Sequence, residues 1–410
     1  MSFQQGLSGL AAAAKNLDII GNNVANANTV GFKQSQAQFG DVFAASVSGG
    51  SGGGSAQVGI GTSITAVLPV FGQGNINVSS NPLDIAINGQ GFFRTTENGA
   101  VSYTRNGQFS LDRDGFVVNP VGRHLTGYPA EADGTIVSAT PTELRISRAD
   151  LPPQPSTSGR IEANLDSRSS VLAPGSFNLN DTTTYHSSTS LSIFDGLGNQ
   201  HTLSAYFLKS AANTWQVFAS SDGVQIGAGP VGTLTFLADG AIDSAATTLP
   251  FNLSIPVTTG APTPMAFALD FTGTTQFGSA FGVNRLSQDG FASGKLTGYT
   301  VSPEGIILGR YSNGQSRAQG QIVLAAFTNQ QALAALGKNS YGETSDSGPP
   351  LVGSPNSGNL GVLQSGAVEE SGVDVTEELV KMITAQRVYQ ANAQTIKTQD
   401  SVLQTMVNLR

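Results

Sequence analysis

Gly227-Ala228-Gly229-Pro230-Val231-Gly232 has the G-x-G-x-x-G spacing that cradles a pyrophosphate when it joins a strand to a helix N-terminus. Here the alternating run Thr233-Leu234-Thr235-Phe236 follows it, so a strand is predicted and a hairpin loop is the better reading. Gly49-Gly50-Ser51-Gly52-Gly53 has the G-x-S-x-G spacing of a nucleophile elbow. It lies in a low-complexity tract, without the strand–turn–helix that strains such a serine. His124, His186 and His201 scatter through strand-like segments without metal-ligand spacing, and His201, at a strand start, reads as a surface residue. Asp112 with Asp114, and Glu369 with Glu370, fall in turns or linkers. A glycosidase pair needs two carboxylates across a cleft, which spacing alone neither shows nor excludes. Trp215 shares a strand face with Val217 and reads as core. No residue is assigned a catalytic, cofactor-binding or metal-binding role, and the chain is read as a non-enzyme without cofactors.

Composition narrows the classes further. Charged residues are 12 % of the 410, about half the usual share, and 50 are glycine. A surface short of Lys and Glu lacks the flexible charges that resist association, which suits repeated subunit packing. A secreted β protein, such as an adhesin or a polysaccharide-acting enzyme, has a similar make-up. A net charge of −8 without a basic run argues against nucleic acid or an anionic membrane as partner. The absence of cysteine removes disulfides, thiolate catalysis and the usual structural zinc sites. Met1-Ser2-Phe3-Gln4 lacks the basic and apolar regions of an ordinary secretion signal, and no apolar run reaches the roughly eighteen residues of a membrane span.

The two chain ends carry the strongest pattern. Phe3, Leu10, Leu17 and Val24 recur every seven residues, with Leu7, Ala14 and Gly21 between them, which is the seam of a helix packed along another helix. Its polar face is Gln4, Gln5, Lys15, Asn16, Asp18, Asn22 and Asn23, mostly uncharged. Asp374 with Glu377 is a capping-box-like start, and neither Gly nor Pro interrupts the chain from Val375 to Arg410. There Val375, Leu379, Met382, Tyr389, Ala393, Ile396, Leu403 and Val407 keep the same step, broken by Gln386 and Asp400. The two helices are predicted to pair as a hairpin, with these stripes as the interface that orders on assembly.

Between the ends the chain reads as nested β units, giving a mainly β fold with paired terminal α-helices. The predicted division is 1–28 with 374–410 helical and coiled-coil-like, 29–70 with 362–373 connecting, 71–150 with 291–361 an inner β unit, and 151–290 an inserted outer β unit. Asn98-Gly99 between apolar runs predicts a tight hairpin. Short runs from Leu191 to Phe236, separated by Asp195-Gly196, Ala212-Asn213 and Asp222-Gly223, predict a meander in a small barrel or sandwich. The Gly/Ser-rich stretch 41–62 is predicted to be a flexible linker. Nesting with paired ends predicts domains in a radial row.

The run from Leu17 to Lys33, with Asn22, Asn23, Ala25, Asn26, Gly31 and Phe32, closely resembles a signature of the bacterial flagellar rod and hook axial proteins. Ser371 to Ala393, with Gln386 and Arg387, resembles that family's second signature. Asn81-Pro82-Leu83-Asp84-Ile85-Ala86-Ile87 and Tyr103-Thr104-Arg105-Asn106-Gly107-Gln108-Phe109 fit its shared β domain. Leu191 to Phe218 is similar to the outer domain of the hook members, while rod members are generally shorter. The resemblance therefore implies a subunit of a curved, hollow tube that passes torque from rod to filament; the alternative is a distal rod subunit. It also implies export through the flagellar type III apparatus without a cleaved signal, to an appendage outside the cell. The partners it implies are other copies, the distal rod protein, the hook-cap protein and the hook–filament junction proteins.

Overall fold

The computed structural model describes residues 2–42, 59, 61–173, 175 and 177–408. The chain clusters into two compact units: Met1–Ser147 with Gly298–Arg310 and Ser316–Arg410, and Arg148–Thr297 with Tyr311–Gln315.

The first unit holds both chain ends. Helix α1 spans Ser2–Ala25 and contains four consecutive alanines, Ala11–Ala14, the best helix formers. Helix α2 spans Val375–Asn408. The Asp374 carboxylate caps it, accepting the N–H groups of Thr376 at 2.8 Å and Glu377 at 3.1 Å, and Glu377 and Glu378 place negative charge at its positive end. The helices run antiparallel: Gly6 lies against Ile396, Gly9 against Asn392, and Asn23 bonds Glu378. These pairings put Ser2 level with about residue 400, so α2 continues for roughly 12 Å beyond the start of α1.

After α1 come strands β1 (Ser35–Val42) and β2 (Gly61–Pro69), an antiparallel pair with Ser35 opposite Pro69 and Val42 opposite Gly61. They lie along α1, where Thr62 N–H donates to Ser8 Oγ at 3.3 Å and the Gln5 amide to Gly59 O at 2.6 Å. The expected linker over 41–62 is thus corrected at both flanks, where ladder bonds satisfy the backbone; the Gly49–Ser55 tract lies outside the described residues. The expected connector over 362–373 likewise contains paired strands. Val362–Ser365 runs antiparallel to Ile85–Asn88, and Ala367–Glu369 to Ile76–Val78, so the returning chain is stitched to the outgoing one.

The rest of this unit is a sheet that the chain leaves and later rejoins. Phe92–Glu97 and Ala100–Thr104 form the hairpin, with Asn98 and Gly99 at φ 51° and 84°, the left-handed pair such a turn demands. Leu324–Ala326, from far along the chain, pairs with Phe92 and Phe93. Phe92, Tyr103, Phe327 and Tyr341 build an edge-to-face aromatic core, with Tyr103 and Phe327 centroids 4.8 Å apart.

Among the described residues the second unit has two five-stranded sheets around one core of Ile161, Leu165, Phe207, Trp215, Val217, Leu234, Phe267 and Phe271. One sheet is the expected antiparallel meander, from Ser187–Phe194 through Gln200–Ala211 to Thr214–Ser221. The other is mixed. Its central strand, Ser158–Asp166, pairs parallel with Met265–Asp270 and Thr275–Phe277 and antiparallel with Gly282–Gln288. Trp215 is in the core, where its indole N–H donates to Gln276 at 2.7 Å.

Gly31 sits at φ 70°, with its N–H on Glu369 O at 2.8 Å; a Cβ there would meet Asn106 N at 2.6 Å. Gly31→Ala is expected to cost about 2–4 kcal/mol, from backbone strain plus the clash. Gly72→Ala, with nothing within 4 Å of the new methyl, is expected to stay within about 0.5 kcal/mol. Thermal unfolding of the two variants checks the difference.

Candidate assembly surface

Glycines open the close approach between α1 and α2. Gly6, Ala13, Ile20 and Asn23 are buried, and Gly9 touches the Asn392 side chain, at the heptad spacing expected of a seam. On α2 the matching positions are Glu378, Ala385, Asn392 and Ile396. This seam lies one residue before the expected stripe of Leu7, Leu10, Ala14, Gly21 and Val24, a turn of about 100° around α1. The correction has a steric cause. A Cβ on Gly6 would stand 3.1 Å from Ile396, and one on Gly9 2.8 Å from Asn392, so the helices meet where side chains are missing.

The larger residues flank that contact. Phe3 and Leu7 are exposed, Leu7 by 52 %, while Leu10, Ala14, Leu17, Gly21 and Val24 are partly covered. On α2, Met382, Ala393 and Ile396 are partly covered, whereas Val375, Leu379, Tyr389, Leu403 and Val407 are exposed, Val407 by 74 %. Beside the seam, α1, α2, Phe39 of β1 and Thr62 of β2 enclose an open groove of about 590 Å³.

Of the signature residues, Asn23 is buried rather than on a solvent face. Its amide donates to Ser35 O at 2.9 Å and Glu378 at 3.0 Å and accepts Ser35 N–H at 2.9 Å, tying α1, β1 and α2 together. Asn22 is exposed and accepts from the Asn26 amide; Thr29 in turn donates to Asn26. Ala25, Gln386 and Arg387 are exposed, and Phe32 is partly covered.

Sequence reasoning missed a buried ionic cluster. The Glu369 carboxylate receives Lys33 Nζ at 2.6 Å and Arg105 Nη1 at 3.3 Å, with all three side chains nearly inaccessible. Lys33 also donates to Gly72 O at 2.6 Å, Arg105 to Gly89 O at 3.0 Å, and Gly74 N–H to Glu369 at 2.8 Å. Burial pushes the pKa of Lys33 and of Arg105 down, with Glu369 opposing in each case. Reading Glu369 with Glu370 as a linker pair is therefore corrected: Glu369 lies on a strand and is shared by two cationic side chains. The available signal was one Lys and one Arg inside long motifs of a charge-poor chain.

A flagellar hook protein of Escherichia coli is 40 % identical over 418 residues, covering 100 % of both chains. The chain belongs to the flagellar hook protein family. Hook proteins of Salmonella typhimurium, 39 % identical with 100 % of both chains covered, and of Borreliella burgdorferi, 32 % identical with 100 % and 99 % covered, agree. Four family descriptions match along its length. They are the flagella basal body rod protein over 3–33, the flagellar hook protein FlgE/F/G D1 domain over 86–151, the flagellar basal body protein FlaE D2 domain over 164–291, and the flagellar basal body rod FlgEFG protein C-terminal over 364–409. The crystal structure of Helicobacter pylori flagellar hook protein FlgE2 superposes with TM-score 0.53 over 72 % of this chain and 100 % of that one; at 15 % identity it bears on fold alone. This hook-family chain is a structural subunit of the flagellar hook, outside the cell, and neither an enzyme nor a distal rod subunit. Among the described residues no helix is long and apolar enough to cross a membrane.

The hook-family chain places its histidines within β structure. His124 stacks on Phe116 and faces Glu143 at 2.8 Å, and His186 packs edge-on to Trp215. His201 is not the surface residue expected: it is buried between two carboxylates, with Nδ1 2.6 Å from Asp222 and Nε2 3.3 Å from Asp195. Asp195 also takes the Thr259 hydroxyl and the Asn199 amide. Burial alone lowers the imidazole pKa, but hydrogen bonds and charges from Asp222 and Asp195 outweigh it, and the net shift is upward.

A raised folded-state pKa makes the protonated ring the stabilising form. Its contribution is complete below the ordinary value near 6.5 and is lost as pH rises through the folded value. Thermal unfolding followed by the fluorescence of Trp215, which lies in this unit, is expected to shift downward as pH rises from about 6 to 8.5. His201→Gln removes the titrating ring and is expected to flatten that dependence.

Proposed function

We propose that copies of this chain polymerise into the curved, hollow and flexible tube that carries torque from rod to filament, with α1 and α2 forming the inner wall. The observation that carries this reading is the uncovered apolar surface of the terminal helices: Phe3, Leu7, Leu379, Val380, Ile383, Val388 and the overhanging Leu403, Met406 and Val407. Fully covering a Leu, Val, Phe or Met contributes roughly 1.5–3 kcal/mol, and each half-exposed residue has a fraction of that left to gain. Repeated in every subunit, the sum is of the size needed to overcome the entropy lost on association. The helix stripes are the assembly interface in this proposal. In this proposal 1–28 with 374–410 serve assembly, and 71–150 with 291–361 and 151–290 are the two β units carried on them.

The family supports the remaining contacts. One end of the tube abuts the distal rod protein and the other the hook–filament junction proteins, with the hook-cap protein present during growth. Subunits arrive through the flagellar type III export apparatus without a cleaved signal.

Electron microscopy of concentrated protein tests the reading. Short curved tubes are expected; straight tubes or none would contradict it. Leu7→Asp, on a half-exposed position, is expected to cost about 1–2 kcal/mol of folding stability, leaving the chain folded, and to abolish tubes. Normal tubes from that variant would remove the stripe from the interface.

A further inference from the structure

One helix carries two uncovered apolar features on opposite sides. The groove beside α1 is lined by Ala12, Ala13, Phe39, Val380, Thr384 and Val388. On the far flank of α2, Val375, Leu379 and Ile383 form an exposed ridge at intervals of four. Leu379 and Val388 are nine residues apart, two and a half turns, and so point in opposite directions; Val375 and Thr384 stand in the same relation. The side of α2 between them is taken by α1.

A closed two-fold pair needs one patch that meets itself, whereas an open helical array needs two different patches that meet each other. We infer that a second copy of this chain docks its Val375–Leu379–Ile383 ridge into the groove lined by Val380, Thr384 and Val388, making α2 both halves of a repeating contact. The partner features have the same step of four residues, the spacing at which a ridge of one helix beds between the ridges of another. The ridge contains no ionised residue, and the groove lining contains one, Lys381. That charge is already held by Glu377 and Glu378 at 2.8 Å each, so mating strands no unpaired ion. The inference rests on the tube reading and names the partner surface within it.

The chain has no cysteine, which makes disulfide trapping unambiguous. In Leu379→Cys with Val388→Cys, the two thiols of one chain lie on opposite sides of α2 and about 14 Å apart along it. That is beyond the roughly 7 Å Cα separation a disulfide spans, so any bond joins different copies. Oxidised tubes are expected to give a reducible ladder extending past dimer on a non-reducing gel. The dilute double variant and each single variant in tubes are expected to run as monomer. Val375→Cys with Thr384→Cys tests the same register at a second pair. Tubes of the double variants that remain monomeric after oxidation would overturn this contact and leave the tube reading standing. Dimers from Val388→Cys alone would overturn it by showing that the groove meets itself. Failure of the unaltered chain to form tubes would remove both.

Discussion

Glu369, shared between Lys33 and Arg105, is the interaction on which the arrangement of the chain ends depends. Its partners are 336 and 264 positions away, one just after α1 and the other at the end of the tight hairpin's second strand. A buried carboxylate with two cations is a poor source of net stability, because desolvation offsets much of the attraction. Removing its charge is a different matter, since two cations would be left buried without their counter-charge, at a cost of about 3–5 kcal/mol. The cluster therefore acts chiefly on position. It fixes where the chain passes from α1 into the β structure and where the returning strand leads toward α2, and Gly31 and Gly74 touch it through their backbones.

From that anchor the terminal helices follow a simple steric rule. They approach each other where Gly6 and Gly9 offer no side chain, with Ile396 packed over Gly6, while many other bulky residues of both helices are turned to the flanks. A hairpin sealed by its large residues would be complete as a monomer. This one satisfies its backbone and its buried Asn23–Glu378 contact, yet leaves Leu, Val, Ile and Met side chains facing outward. Such a division of labour suits a subunit whose closest neighbours are other copies.

Features set by a few adjacent residues were legible in the sequence. The Asp374 cap, the Asn98-Gly99 hairpin and the two terminal helices depend on local spacing, and each was found where expected. The seam was displaced by one residue because periodicity identifies apolar stripes without saying which will be nearest the partner. Strand β1 went unseen because Ser35–Val42 has little apolar alternation, and its partner lies beyond a Gly/Ser tract. Glu369 and His201 were misplaced for a common reason: their burial is set by groups brought in from elsewhere in the chain. The parallel pairings of Ser158–Asp166 are equally non-local.

The most direct measurement compares hydrogen exchange in the full chain with that in Glu369→Gln. Protection is predicted to fall at the paired segments 76–78 and 367–369 and at the base of α1, while the sheet spanning 187–221 keeps its rates. Unchanged protection at those segments would show that the ionic cluster does not hold the chain ends, and the account would fail.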